Sequence, residues 1–148
     1  MALQTTYAMS HARWLEGMQL NSEVTNIVSR TIETAAGIGF GKVACRGTTD
    51  KTIKVAAASA VPLGITVLDP TVVNNASADV YPRYSNVAVM TKGVIVANAS
   101  VAVAQGDPVY FVPATGVLTN VSTNNIAIPN AVWDTTTSGE GLAAVRLG

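Results

Sequence analysis

The sequence predicts an all-β protein: a compact β-barrel or jelly-roll-like sandwich carrying an extended N-terminal arm. Three observations lead there. Valine-rich runs of strand length recur beyond residue 24, as in Gly93-Val94-Ile95-Val96-Ala97, Val101-Ala102-Val103-Ala104 and Val109-Tyr110-Phe111-Val112; β-branched residues favour the half-buried, pleated surface of a sheet. The breaks carry turn chemistry, among them Asn98, Gly106-Asp107-Pro108, Pro113 and Gly116. Charged residues make up 12% of the chain, about half the usual share, which suits a protein that works by presenting a surface.

The chain divides into an arm, residues 1–23, and a β-domain, residues 24–148. The arm holds His11, Arg13 and three of the four Met residues. Its large apolar groups, Tyr7, Met9, Trp14, Leu15 and Met18, lack the alternation of a strand. A short helix over 7–15, ended by Gly17, and an extended arm are both open. So many large apolar groups do not make a solvated linker, and the arm is expected to dock on a partner.

In the domain, strands are expected over 26–32, 40–46, 52–55, 62–68, 85–91, 94–97, 108–112, 131–134 and 142–147. Each is bounded by turn residues: Gly37-Ile38-Gly39, Gly47-Thr48-Thr49-Asp50, Asp69-Pro70, Asn74-Asn75, Lys92-Gly93, Gly116, Asn124-Asn125 and Ser138-Gly139-Glu140-Gly141. Many short strands at this spacing suit a barrel or sandwich. The Ala-rich stretch 56–61 reads as a loop or one helical turn. Residues 70–84 read as a long surface loop whose Tyr81-Pro82-Arg83-Tyr84 forms a contact tip. Trp133 is expected in the core, and Trp14 at an interface.

Composition narrows the function. Nine basic and nine acidic residues cancel, which leaves no net field to draw nucleic acid or an anionic membrane. No apolar run approaches the roughly 20 residues of a membrane span. The N-terminus has neither a basic start nor a long apolar region, so no secretion signal is expected. Cys45, the single cysteine, lies in the apolar run Val43-Ala44-Cys45 and reads as a buried thiol. Together these predict folding in a reducing cytoplasm.

The chemistry-bearing motifs are weak. Gly37-Ile38-Gly39-Phe40-Gly41-Lys42 looks like a phosphate loop, but a strand follows it where a helix N-terminus is needed. A Ser-His-Asp triad would have to use His11, which lies in the arm. One His and one Cys cannot build a zinc site. Five of the nine acids sit in or beside turns, where capping accounts for them. Three Asn-X-Ser sequons, at Asn75, Asn98 and Asn120, match chance expectation in a chain rich in Asn and Ser. The expectation is therefore no catalysis, no metal and no cofactor.

Several pieces in order resemble the structural cement (head-decoration) proteins of tailed bacteriophages. They are Glu16-Gly17-Met18, Val28-Ser29-Arg30, Ile38-Gly39-Phe40-Gly41-Lys42-Val43, Pro62-Leu63-Gly64-Ile65-Thr66-Val67, Lys92-Gly93-Val94-Ile95-Val96, Gln105-Gly106-Asp107-Pro108-Val109-Tyr110, Gly116-Val117-Leu118 and Gly141-Leu142-Ala143-Ala144-Val145. The resemblance implies a β-barrel or jelly-roll body with a terminal arm. It also implies a structural virion protein on the outside of the mature capsid, clamping junctions between major capsid subunits against internal DNA pressure. The partners would be the major capsid protein and a further copy of the chain, as homodimer or homotrimer, with no nucleic acid and no membrane. The expected contact residues are Tyr7, Met9, Trp14, Leu15, Met18, Tyr81 and Tyr84.

Three rivals are weighed against this. A trimeric dUTP-hydrolysing enzyme needs a Gly-Tyr-Arg-Gly-like motif around a catalytic Asp, which is missing. A shell-forming subunit usually needs long helices. A tail or fibre module gripping a partner protein or host glycan would want clustered exposed aromatics, for which Tyr81, Tyr84 and Trp133 are the candidates.

Overall fold

The computed structural model describes residues 14–148. Tyr7 and Met9, and nearly all of the candidate helix over 7–15, lie outside them. The described residues form eleven strands and no helix, so the all-β expectation holds.

Five strands close a barrel. β1 (Asn26–Ile32) lies beside β4 (Thr52–Lys54), β4 beside β3 (Val43–Arg46), β3 beside β5 (Pro62–Thr66), and β5 beside β7 (Asn86–Ala99), which pairs back with β1. β2 (Ile38–Gly39) and β6 (Val80–Tyr81) form a separate two-stranded sheet. The remaining strands make a second circuit. From β7 it runs through β11 (Gly141–Leu147), β10 (Ile126–Trp133), β8 (Pro108–Phe111) and β9 (Leu118–Thr119), and returns to β7 through the pair Ala99↔Leu118.

β7 is therefore common to both circuits. This corrects the expectation of two strands joined by a turn at Lys92-Gly93. Asn86–Lys92 pairs with β1, and Gly93–Ala99 pairs with β11. The hand-over falls at Gly93, whose φ is 123°. A Cβ there would stand 2.6 Å from the Thr25 methyl. Glycine is needed because the strand must change partners without stopping.

Other boundaries also differ. Phe40 lies before the strand, which starts at Val43 after a turn at Gly41. Residues 101–104 form no strand; Val103 alone is buried and makes one bridge to Thr137. The stretch 70–84 contains β6. β10 extends back to Ile126, and its pairing with β8 slips between Ala127 and Val132, at Pro129-Asn130. Pro129 is tolerated because a bulge needs no donor there.

The interior has two apolar clusters. One gathers Ile32, Ile53, Val87, Val89, Phe40 and Tyr81. The other gathers Ile95, Phe111, Trp133 and Val145 together with Val43, Cys45, Ile65 and Met90 of the barrel. β3 thus buries both faces, Ala44 towards the first cluster and Val43 and Cys45 towards the second. Two-sided burial explains its unbroken apolar run. Trp133 and Cys45 are both fully buried, as expected.

Candidate interface

Residues Gly17–Leu20 lie along the β7 edge opposite β11. Gly17 N–H donates to Val96 O at 2.8 Å, Val96 N–H to Met18 O at 2.9 Å, and Leu20 N–H to Val94 O at 3.1 Å. Leu68 N–H donates to Gly17 O at 2.8 Å. The last part of the expected arm is thereby fastened to the body. Gly17 and Gly41 meet closely: a Cβ on either would fall 2.8 Å from the other's backbone nitrogen. Beside them the Lys42 ammonium pairs with the Glu16 carboxylate at 2.6 Å. Two of the motifs noted in the sequence, Glu16-Gly17-Met18 and Gly39-Phe40-Gly41-Lys42, therefore form one junction.

Two adjoining clefts lie beside that junction and share its Gly39 and Lys42. One, of about 320 Å³, is lined by Leu15, Phe40, Leu68 and Val80 with Glu16, Lys42 and Asp79. The other, of about 280 Å³, shares Gly39, Lys42 and Val80 and adds Val55, Ala56 and Gly116. Leu15, 56% exposed, stands at the lip of the first. Trp14 and Met18 are half-buried.

Tyr81 needs a correction. It is a core residue, packed edge-on against Phe40 with centroids 5.2 Å apart, and its hydroxyl donates to Val67 O at 2.7 Å. Burial pushes its phenol pKa up. It is out of a partner's reach, whereas Tyr84 is 67% exposed and lies under the Arg83 guanidinium, 4.5 Å from its ring centre. Of the aromatics expected to serve a glycan site, Tyr84 alone faces solvent; Tyr81 and Trp133 are buried.

The remaining polar groups do structural work. The Asp107 carboxylate of Gly-Asp-Pro-Val-Tyr accepts from Asn120 Nδ2 at 2.8 Å and Ala104 N at 2.9 Å, bonds that hold its pKa below the usual value. Arg146 bridges Glu23 and Asp134. The fixed hydroxyls of Thr66, Ser85 and Ser100 donate to backbone carbonyls. Burial raises the Cys45 thiol to about 11, so it is not a nucleophile at neutral pH. Among the described residues no three His, Cys, Asp or Glu side chains converge on a possible metal position. Sequence reading gave Arg30 only as part of Val28-Ser29-Arg30 and gave Arg46 no contact role, because the cleft they share depends on how β1, β3 and the β3–β4 turn come together.

Comparison with known families settles the assignment. Residues 3–148 match the family described as Structural cement protein (E217 gp24/Pam3 gp6). The chain belongs to the phage structural cement proteins. It is thus a structural protein of the bacteriophage capsid. The fold is similar to a chain in a solved structure of the capsid of Myoviridae phage XM1, with a TM-score of 0.79 and 17% sequence identity over 100% of this chain and 98% of that one. No curated protein matches the chain.

Proposed function

We propose that this cement protein binds the outside of the mature capsid and clamps junctions between major capsid subunits, as a homodimer or homotrimer and without catalysis. Residues 24–148 act as the body and residues 1–23 as the arm, made in the host cytoplasm and displayed on the virion exterior. The supporting observation is the fastening of Gly17–Leu20 to β7, which anchors the chain just after Trp14 on the rigid body, beside a cleft lined in part by Leu15, Phe40, Leu68 and Val80. A clamp that binds only the closed lattice adds its binding free energy to that state. Contacts to several subunits at once raise the effective concentration of each.

The test is co-sedimentation with mature capsids. The full chain should pellet with them and raise the temperature at which they release DNA. Deleting residues 2–13 removes Tyr7 and Met9 yet leaves the β7 ladder, so the variant should stay folded and pellet weakly. Full decoration by the truncated chain would exclude the arm as an anchor. No pelleting by the intact chain would refute the capsid-binding reading.

A further inference from the structure

We propose that the turn Pro82-Arg83-Tyr84-Ser85, with Arg30, Arg46 and Lys51 beside it, is the face that grips an acidic protein surface on a capsid subunit; this rests on the capsid-binding reading above. Tyr84 has a φ of 66°. A bulky L-residue is unfavourable there and stays only where its surroundings over-determine it. They do: Tyr84 N–H donates to Ile32 O at 2.8 Å, Ser85 N–H and Oγ both donate to Pro82 O, and Arg83 Nε donates to Glu33 O at 3.1 Å. The result is an aromatic ring held out in solvent beneath an arginine. The barrel gains little burial from that ring, and Asn or Gly would suit the backbone better. Tyr and Arg are also the residue types that dominate binding energy at protein interfaces.

Charge points to the partner. Residues 26–92 carry seven basic residues against four acidic ones, and residues 93–148 carry one against three. Among the described residues, Lys42 alone of those seven has a carboxylate within ion-pair distance. Arg30 and Arg46 line one cleft at the turn that holds Lys51. Glu33, whose carbonyl holds Arg83, takes Thr48 of that same turn on its carboxylate, so Thr48, which also lines the cleft, connects the cleft to the Arg83 turn. Guanidinium groups without a carboxylate partner match carboxylates in a bidentate fork. Asp50 and Glu33 interrupt the cations, so the positive charge is discontinuous; separate guanidinium groups match discrete carboxylates on a protein better than the evenly spaced charges of a phosphate backbone.

The experiment titrates undecorated mature capsids with the intact chain, Tyr84→Asn, and the double variant Arg30→Glu/Arg46→Glu, with thermal unfolding measured alongside. Tyr84→Asn should unfold at the same temperature as the parent or higher, yet need at least about tenfold more protein for half-decoration. The charge reversal should weaken decoration as much or more, and the parent's binding should weaken as salt rises to about 0.5 M. Unchanged decoration by both variants overturns the proposal while leaving the capsid-binding reading intact. A lower melting temperature for Tyr84→Asn overturns it too, by making the ring structural. Binding of duplex DNA by the parent that the charge reversal abolishes would reassign the face to nucleic acid. If the intact chain itself fails to decorate, the capsid-binding reading falls first.

Discussion

The two circuits that share β7 differ in how they use charge and bulk. The barrel of residues 26–92 has a balance of +3, and six of its cations lack a carboxylate partner among the described residues. The circuit of residues 93–148 has a balance of −2, with its single cation, Arg146, held between two carboxylates and Asp107 tied by Asn120 and Ala104. The second circuit also holds the bulkiest buried side chain, Trp133, and beside it Phe111. One half thus pairs its single cation internally, and the other leaves six cations without a carboxylate among the described residues. The shared cluster of Val43, Cys45, Ile65 and Met90 with Ile95 and Val145 binds the halves into one packing unit.

The comparison breaks most readily at Trp133. Trp133→Ala should cost about 3–5 kcal/mol, as expected for a fully buried tryptophan. Trp133→Phe should cost much less than Trp133→Ala, because the indole Nε1 is buried without a hydrogen-bond partner and its loss forfeits no bond. Denaturant titration of both variants measures this. Equal losses for Phe and Ala would mean that the indole nitrogen does have a partner, such as a buried water.

The next effect is at the hand-over. Gly93→Val forces a β-branched side chain into a positive-φ position and against Thr25. A loss of at least about 2 kcal/mol is expected, since backbone strain alone costs about 1–3. The transition should stay single, because the shared cluster couples the circuits even when β7 is strained. Two resolved transitions in calorimetry would show that β7 alone couples them.

Much of this division was legible in the sequence, and the limits have physical causes. The strand over 26–32 was read to the residue, since β-branched alternation and clean turns bound it. Gly93 misled because glycine marks a turn far more often than a strand exchanging partners. Residues 101–104 are apolar yet make no ladder, since one valine is enough to plug the core there. Tyr81 sits in a sequence that looks like a loop tip, and only the pairing of β6 with β2 turns its ring inwards. The family resemblance rested on the order of short motifs. The structure explains three of them through two contacts: Glu16-Gly17 against Gly41-Lys42, and Asp107 against Asn120. The cationic face was not legible, because it draws on β1, the β3–β4 turn and the turn before β7.

The smallest effect is acid sensitivity, and it separates the two halves by mechanism. Glu23 is held below its ordinary value of 4.5 first by the hydrogen bond from Arg146, which also takes Asp134. A carboxyl with a lowered folded pKa contributes stability that is present above the ordinary value and is lost as pH falls through the folded one. Arg146→Gln should therefore lower the melting temperature slightly near neutral pH, and the gap should close as pH drops below about 4. In the barrel, Glu33 is lowered first by the backbone N–H of Thr48. Thr48→Ala keeps that N–H and removes only the hydroxyl bond, so most of the acid response of Glu33 should remain. Melting curves from about pH 6 down to pH 3 test both variants. A gap for Arg146→Gln that persists at low pH would show that the guanidinium stabilises by packing its stem rather than by charge. An acid response abolished in Thr48→Ala would show that the hydroxyl, not the backbone, holds Glu33 ionised.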